Sequence, residues 1–291
     1  MSRKVQLLLV DPQNSFCKQV QPELQQTLHD GELCIPGAWE DMQRVAGLIR
    51  RLGGRLGAID VTLDSHHLLH VAHPIWFHDR SGRHPEPLTI MRAEGGAIRG
   101  SRTDAEGRPG DVGEFTTTRG EYHQRTVQYL EQLAARGRYP HCIWPPHCLI
   151  GTPGHNVVAP LMEALLEWSA DRLGRINLVM KGGNIFVEHF SAVRAEVPDP
   201  DDRRTQLNRP LIERWMQADE ILLAGEAVSH CLANTVRDVA GELPDAVFLK
   251  KCVLVVDATS PVPGFEHYQQ QFLDQMTARG MRTTTCAEYL A

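Results

Sequence analysis

Short apolar runs recur along the chain and predict the strands of a buried sheet. Residues 5–10 are rich in valine and leucine, and a run that is apolar on both faces is typical of a central parallel strand. Comparable runs predict further strands at residues 56–63, 176–180, 221–224 and 253–256.

Segments with the apolar spacing of amphipathic helices lie between these strands. They span residues 39–52, 157–168, 211–217, 231–239 and 268–278. Strands that alternate with helices are typical of a parallel sheet covered by helices on both faces. The sequence therefore predicts an α/β protein with three layers, α/β/α, and a Rossmann-like, mainly parallel central sheet.

Residues 78–140 are the least regular part of the chain. Gly95-Gly96 and the segment 107–110 are typical of loops, and a polar-faced helix is predicted from about 121 to 135. The stretch has too few apolar residues for a core of its own. We therefore expect one domain over residues 1–291, with an insertion at about 78–140 that acts as a lid or as a subunit contact.

Composition excludes several classes of function. Thirty Lys and Arg against 36 Asp and Glu give a formal charge of −6, and no basic cluster is dense enough to follow a phosphate backbone. No apolar run has the length of a signal or membrane-spanning segment. Seven cysteines without a CxxC pair argue against a disulfide framework and against a zinc finger. We expect a cytoplasmic protein with neither a nucleic-acid nor a membrane partner.

Residues capable of chemistry follow directly after four predicted strands. In chain order they are Asp11, then Asp64 with His66, then Lys181, and finally Cys231. Because ligands of open parallel sheets bind beyond the carboxyl ends of the strands, these residues are expected to meet in one cleft.

Cys231, Lys181 and Asp11 together predict a cysteine-dependent hydrolase. Cys231 is placed in the first turn of a helix, where the helix dipole and a neighbouring Lys181 would lower the pKa of the thiol. Asp11 could accept the thiol proton, and the N–H groups of Ala227 and Cys231 could form an oxyanion hole. Taken singly, such a cysteine is more often simple packing, and such an Asp or Lys is often a cap or a solvated charge.

Histidines are concentrated after the second predicted strand. Asp64 and His66 form a D-x-H pair, His70 and His73 follow, and His147 comes later. Mixed carboxylate and imidazole ligands suit Zn²⁺, Fe²⁺ or Mn²⁺. From the spacing alone, the segment either holds a divalent ion or is a histidine-rich loop that binds nothing.

Several motifs together resemble the nicotinamidase and pyrazinamidase branch of the isochorismatase-like cysteine hydrolases. They are residues 7–16 (LLLVDPQNSF), the D-x-H pair, residues 144–148 (WPPHC), residues 179–182 (VMKG) and residues 225–231 (GEAVSHC). The resemblance implies an isochorismatase-like fold with a six-stranded sheet, and Asp11, Lys181 and Cys231 as catalytic residues. It also implies a role in NAD metabolism and assembly into a homo-oligomer.

The resemblance also implies a ligand set and a substrate pocket. Asp64, His66 and His147 fall on the family's metal ligands, with a fourth from His70 or His73, and the metal would be zinc, or else iron or manganese. The aromatic side chains of Phe16 and Trp144 would sandwich a pyridine ring. A non-proline cis peptide is expected between Glu226 and Ala227.

We therefore expect hydrolysis of nicotinamide, or of a similar small aromatic carboxamide, to the acid and ammonia through a thioester. One alternative is a related cysteine hydrolase that acts on a different or larger amide, because the segment between His66 and His147 is longer than in compact nicotinamidases. Another is a non-catalytic binding or assembly protein with the same fold.

Overall fold

The computed structural model of the chain describes residues 4–21, 26–104 and 108–290. The strands, numbered β1 to β13 in chain order, are Val5–Val10, Gln19–Gln21, Gln26–His29, Leu56–Asp64, Phe77–His78, Ile90–Glu94, Ala97–Thr103, Pro109–Thr117, His141–Cys142, Ile176–Lys181, Glu220–Gly225, Cys252–Val255 and Arg282–Thr284. The α-helices, α1 to α6, are Ala38–Leu52, His123–Ala135, Ala159–Arg172, Arg209–Met216, Cys231–Glu242 and Glu266–Ala278. Within these ranges, no helix is long and apolar enough to cross a membrane.

Six strands form one parallel sheet in the order β10–β4–β1–β11–β12–β13. Every residue of β1 is buried, which explains why this strand is apolar on both faces. Helices flank the sheet, and Trp215 of α4 donates a hydrogen bond from Nε1 to Asp60 of β4 at 3.1 Å. The predicted α/β class and three-layer architecture are confirmed.

The predicted strands and helices are present, with ends that differ by a few residues. The helix expected from residue 121 begins as a 3₁₀ turn at Gly120–Tyr122 and continues as α2. Strand β13 was not predicted, because Arg282 and Thr283 are exposed and the strand has no apolar run. It forms a strand because it pairs with β12 at the edge of the sheet, where one side needs no strand partner and apolar residues are not required.

Residues 78–140 are more regular than expected. They contribute most of a five-stranded antiparallel sheet in the order β5–β8–β7–β6–β9. A second hydrophobic cluster lies here, and it combines side chains of the insertion, such as Ile98 and Phe115, with others from outside it, such as Val71 and Val187. The stretch was expected to have too few apolar residues for a core of its own, and the cluster it joins is completed by side chains from neighbouring segments.

Parallel pairing brings the carboxyl ends of four strands together. Strand β4 lies between β10 and β1, and β11 lies on the other side of β1. Lys181 of β10 is in register with Asp64 of β4, and Val10, just before Asp11, is in register with Gly225 at the end of β11. The residues singled out from the sequence therefore lie at one edge of the sheet.

Candidate active site

Lys181 is the centre of a buried cluster. Its ammonium nitrogen Nζ lies 2.9 Å from Asp11 Oδ2 and 3.1 Å from Asp64 Oδ1. It donates hydrogen bonds to the carbonyl of His189 at 3.1 Å and to Cys231 Sγ at 3.5 Å. Burial opposes the charged form, but the two carboxylates outweigh it and hold the pKa of Lys181 well above its usual range. The cation is therefore retained at neutral pH.

The backbone conformation of Asp11 and two hydrogen bonds with Thr62 of β4 hold its side chain in place. Its φ of 44° lies in the left-handed region, its N–H donates to Thr62 Oγ1 at 3.0 Å, and the Thr62 hydroxyl donates back to Asp11 Oδ1. Burial, assisted by the charge of Asp64 and opposed by Lys181, raises the pKa of Asp11. A carboxylate with a raised pKa is the better proton acceptor.

Cys231 is the first residue of α5, and the residue is 7% exposed. Burial raises the pKa of this thiol well above its usual range; Lys181 opposes the shift, while Asp11 and Asp64 add to it. The expectation of a lowered thiol pKa was therefore wrong, because two carboxylates and burial outweigh one ammonium. Lys181 Nζ nevertheless lies 2.9 Å from Asp11 Oδ2 and 3.5 Å from Cys231 Sγ, so a proton acceptor belongs to the same buried cluster as the thiol.

The segment between β11 and α5 makes a close turn. The peptide between Glu226 and Ala227 is cis, as the sequence analysis expected. Gly225 has a φ of 108°, and a Cβ on it would lie 2.0 Å from the carbonyl oxygen of Val10, so only glycine fits there. Ala227 and Cys231 both line the pocket beside the cluster.

Asp64, His66 and His147 are all buried and form a set that could hold a metal ion. Nε2 of His66 lies 2.9 Å from Asp64 Oδ2, and Nε2 of His147 lies 3.3 Å from the same oxygen. Nδ1 of His147 donates to the carbonyl of Pro145 at 2.8 Å, which leaves Nε2 with a free lone pair. This is the usual arrangement of a ligating histidine, whose other nitrogen donates to a neighbouring acceptor.

His70 and His73 differ in the nitrogen that carries the proton. Nδ1 of His73 donates to the carbonyl of Leu68 at 3.0 Å, and its buried Nε2 has no hydrogen-bond partner. Nδ1 of His70 instead accepts from the Ala72 N–H at 3.2 Å, so the proton of the neutral ring lies on Nε2. Burial, then the charge of His66, lowers the pKa of His73 to about 3. Nε2 of His70 is also buried without a partner, and His66, His70 and His73 form a second set that could hold a metal ion. The free lone pair on Nε2 of His73 favours this residue over His70 as a ligand.

A pocket opens next to Cys231. Its apolar walls are Phe16, Leu33, Ile35, Trp144, Phe190 and Val262, and its polar walls include Asp64, His147, Glu188 and His230. Phe16 and Trp144, which the sequence analysis singled out, both line this pocket and are buried. Leu33 is the partly exposed member of the apolar set and marks the mouth. No described residue of the 78–140 stretch lines this pocket.

Structure comparison found solved proteins of the same architecture. Yeast nicotinamidase, bound to the inhibitor nicotinaldehyde, is 17% identical, with a TM-score of 0.59 over 97% of this chain and 99% of that one. Pyrazinamidase of Pyrococcus horikoshii in complex with zinc is 17% identical, with a TM-score of 0.52 over 97% and 99%. An isochorismatase family protein of Desulfovibrio vulgaris is 16% identical, with a TM-score of 0.50 over 98% and 95%. The chain has the isochorismatase-like hydrolase fold.

No family model and no curated protein matched the sequence. The likeness therefore lies in the fold, which the chain shares over nearly its whole length with nicotinamidases and pyrazinamidases. At such low identity the assignment of activity depends on the site itself.

The sequence analysis missed six residues that line this pocket: the apolar Leu33, Ile35 and Val262, and also Glu188, Phe190 and His230. Glu188 is buried, and its Oε2 has no hydrogen-bond partner. The His230 ring packs edge-on against Trp144, with centroids 5.4 Å apart. For three of them, the sequence did offer a signal, which was closeness to a predicted catalytic residue. Glu188 and Phe190 lie in the loop that follows Lys181, and His230 directly precedes Cys231.

Proposed function

We propose that this chain is a cysteine amidohydrolase that converts a small aromatic carboxamide, nicotinamide first among them, to its acid and ammonia. The observation that carries the proposal is the buried contact of Asp11, Lys181 and Cys231 beside a pocket with aromatic walls. A nucleophile, a proton acceptor and a fixed cation within reach of one another are the parts that acyl transfer needs.

The first half-reaction forms a thioester. As Sγ of Cys231 attacks the carboxamide carbon, the thiol proton passes to the carboxylate of Asp11, which contacts the same Lys181 ammonium as the sulfur. The N–H groups of Ala227 and Cys231 would stabilise the oxyanion. Asp11 then returns the proton to the amide nitrogen, the C–N bond breaks and ammonia leaves.

The second half-reaction releases the acid. Asp11 removes a proton from water, the resulting oxygen nucleophile attacks the thioester carbon, and the C–S bond breaks. The proton returns to Sγ. Lys181 stays protonated throughout and stabilises the negative charge that moves between Cys231 and Asp11, which explains a cation placed 2.9 Å from Asp11 and 3.5 Å from the sulfur.

Asp64, His66, His147 and His73 are the residues that would hold a metal ion, and zinc suits this mixture of one carboxylate and three imidazoles. Two groups that could hold a metal ion share His66, one with Asp64 and His147 and the other with His70 and His73, and His66 and His73 each have a buried nitrogen without a partner. A bound divalent ion would act as a Lewis acid towards a ring nitrogen of the substrate. Phe16 and Trp144 would contact the two faces of the ring.

The His73→Ala variant is expected to lose bound metal, whereas His70→Ala is expected to keep it. Loss of a group that only orients a ligand typically weakens metal binding by about ten- to a hundredfold, and loss of the ligand itself should cost at least as much. The measurement is the metal content of each purified protein, by elemental analysis, after dialysis against a weak chelator. The matched His70→Ala variant removes an equally buried ring, so equal loss in both variants would contradict the assignment.

The pocket is narrow. Its volume is about 30 Å³, which is room for water rather than for a ring, and pockets for drug-sized ligands are commonly about 300–1,000 Å³. A ring therefore enters only if a side chain at the mouth moves, and the partly exposed Leu33 is the one placed to do so. The narrow pocket favours a small carboxamide over the larger amide of the alternative.

Leu33→Ala is expected to widen the mouth. The value of kcat/KM for a bicyclic aromatic carboxamide should rise by about tenfold, while that for nicotinamide changes little, because pocket shape discriminates ring size by about 1–3 kcal/mol. Steady-state ammonia release measures both values. Leu166→Ala, an exposed change on α3, is the control, and an unchanged ratio in Leu33→Ala would remove Leu33 from the mouth.

Ammonia release from nicotinamide, pyrazinamide and benzamide tests the proposed function. Turnover of the first two is expected to exceed that of benzamide, which lacks a ring nitrogen. If none of the three is hydrolysed while iodoacetamide alkylates Cys231 and metal is bound, the substrate is a different amide. If Cys231 is also unreactive, the non-catalytic alternative replaces the proposal.

A further inference from the structure

Two buried carboxyl groups contact each other behind the site. Glu226 follows β11, and Asp41 lies in the first turn of α1; their residues are 0% and 3% exposed. Both carboxyl groups accept hydrogen bonds from the same residue, Ser260, which brings them close together. Neither group lines the pocket, and the proposed reaction uses neither of them.

Ser260, in the loop after β12, is held by both carboxyl groups. Its N–H donates to Glu226 Oε2 at 3.0 Å, and its hydroxyl donates to Asp41 Oδ2 at 2.6 Å. Its carbonyl accepts the N–H of Val228 at 3.1 Å. Gly37 lies against the hydroxyl, since a Cβ there would be 2.8 Å from Ser260 Oγ. The pair thus connects α1 to the segment that carries Ala227 and Cys231.

One of the two carboxyl groups must carry a proton. Oε1 of Glu226 is buried and receives no N–H or O–H donor from the described residues. Two carboxylates in buried contact repel each other strongly, so one of them stays neutral. Asp41 is the ionised member, because it also accepts from Arg44 and from the Ser260 hydroxyl. Glu226 is then the neutral acid that donates to it.

We propose that Glu226 is a positioning residue that holds the Ala227–Cys231 segment in place only in its neutral form. Its acid proton bridges to Asp41 while its other oxygen holds Ser260, and Ser260 holds Val228. Loss of the proton replaces this bridge with a repelling pair of carboxylates, and the segment is released. The inference uses the proposed function only for the roles of Ala227 and Cys231.

The direction of the pH dependence follows from the surroundings of the pair. Burial and the charge of Asp41 raise the pKa of Glu226. The native state therefore binds a proton that the unfolded chain has lost, and the stabilisation falls as the pH rises towards that raised value. The other titratable groups that face the pair are Arg44 on α1 and the Cys17 thiol after β1. Burial and the charge of Glu226 raise the pKa of Cys17, so this thiol remains neutral.

Hydrogen exchange of the Val228 amide, measured from neutral to alkaline pH and corrected for intrinsic exchange, tests the proposal without any substrate. In the wild type, its protection is expected to fall by up to about tenfold for each unit of pH as the pH rises towards the raised pKa of Glu226, and to level off above it. Glu226→Gln and Asp41→Asn each leave only one carboxylate in the pair, so no repulsion can develop. The protection of the Val228 amide should therefore not change with pH in either variant. Glu226→Leu removes the acceptor for Ser260 and should lower protection at every pH.

Ammonia release provides the link to the site. At alkaline pH, the kcat of Glu226→Gln should exceed that of the wild type once the released segment is the major form of the wild type, because only the held segment is active. If no carboxamide is hydrolysed by any variant, the proposed function fails, while the exchange result still decides the role of Glu226. Identical pH profiles of exchange in the wild type and in both Glu226→Gln and Asp41→Asn would overturn the inference. So would full protection in a folded Glu226→Leu variant.

Discussion

In the Cys231→Ala variant, the rate of ammonia release is expected to fall by a factor on the order of 10⁴ or more. The attacking sulfur is removed, and water is a far weaker nucleophile. The fold should persist, since the change removes one sulfur from the start of α5. Steady-state ammonia release with nicotinamide measures the loss, and circular dichroism with thermal unfolding checks the fold.

Cys252→Ala is the matched control for this change. Cys252 is as buried as Cys231, but it lies in β12 and does not line the pocket. Its removal costs packing energy and should leave kcat within about twofold of the wild type, because surface and core changes away from the site act mainly on stability. Equal activity in Cys231→Ala and Cys252→Ala would rule out Cys231 as the nucleophile.

The Lys181→Met variant is expected to be both inactive and unstable. It leaves Asp11 and Asp64 buried without the cation that lies about 3 Å from each, and breaking a buried ion pair costs about 3–5 kcal/mol of unfolding free energy. The loss of transition-state stabilisation should lower kcat by about 10²- to 10⁴-fold. Urea unfolding at neutral pH and steady-state kinetics measure the two effects.

The double variant Lys181→Met, Asp11→Asn separates charge balance from catalysis. It removes one of the two carboxylates that Lys181 neutralises, so part of the lost stability should return while activity stays absent. Lys251→Met is the control, because this lysine donates only to the carbonyls of Met216 and Ala218. A Lys181→Met protein as stable as the wild type would show that the cation is not needed to balance the buried carboxylates.

Much of the fold and the position of the site could be predicted because parallel strands leave a strong signal. The apolar run at β1 predicts a buried central strand. Asp11, Asp64 and Lys181 lie at the carboxyl ends of strands, where ligands of parallel sheets bind. Strand β13 gave no such signal, since its three residues are mostly polar and exposed. The second hydrophobic cluster was missed because its side chains come from segments far apart in sequence.

Electrostatics could not be read from the sequence. Lys181 alone predicts a lowered pKa for the Cys231 thiol, but the sum of burial, Asp11 and Asp64 decides the opposite direction. The choice between His70 and His73 depends on which ring nitrogen meets a carbonyl or an N–H. The Glu226–Asp41 contact joins residues from the first helix and the end of β11, and no spacing rule predicts it.

The most direct test of the thioester is turnover of nicotinamide in the presence of hydroxylamine, with the products separated by chromatography. The account predicts that hydroxylamine captures the acyl group from Cys231, so the hydroxamate forms in place of part of the acid while ammonia release is not slowed. If ammonia is released and the acid is the only acyl product at every hydroxylamine concentration, water attacks the amide directly and the account is contradicted.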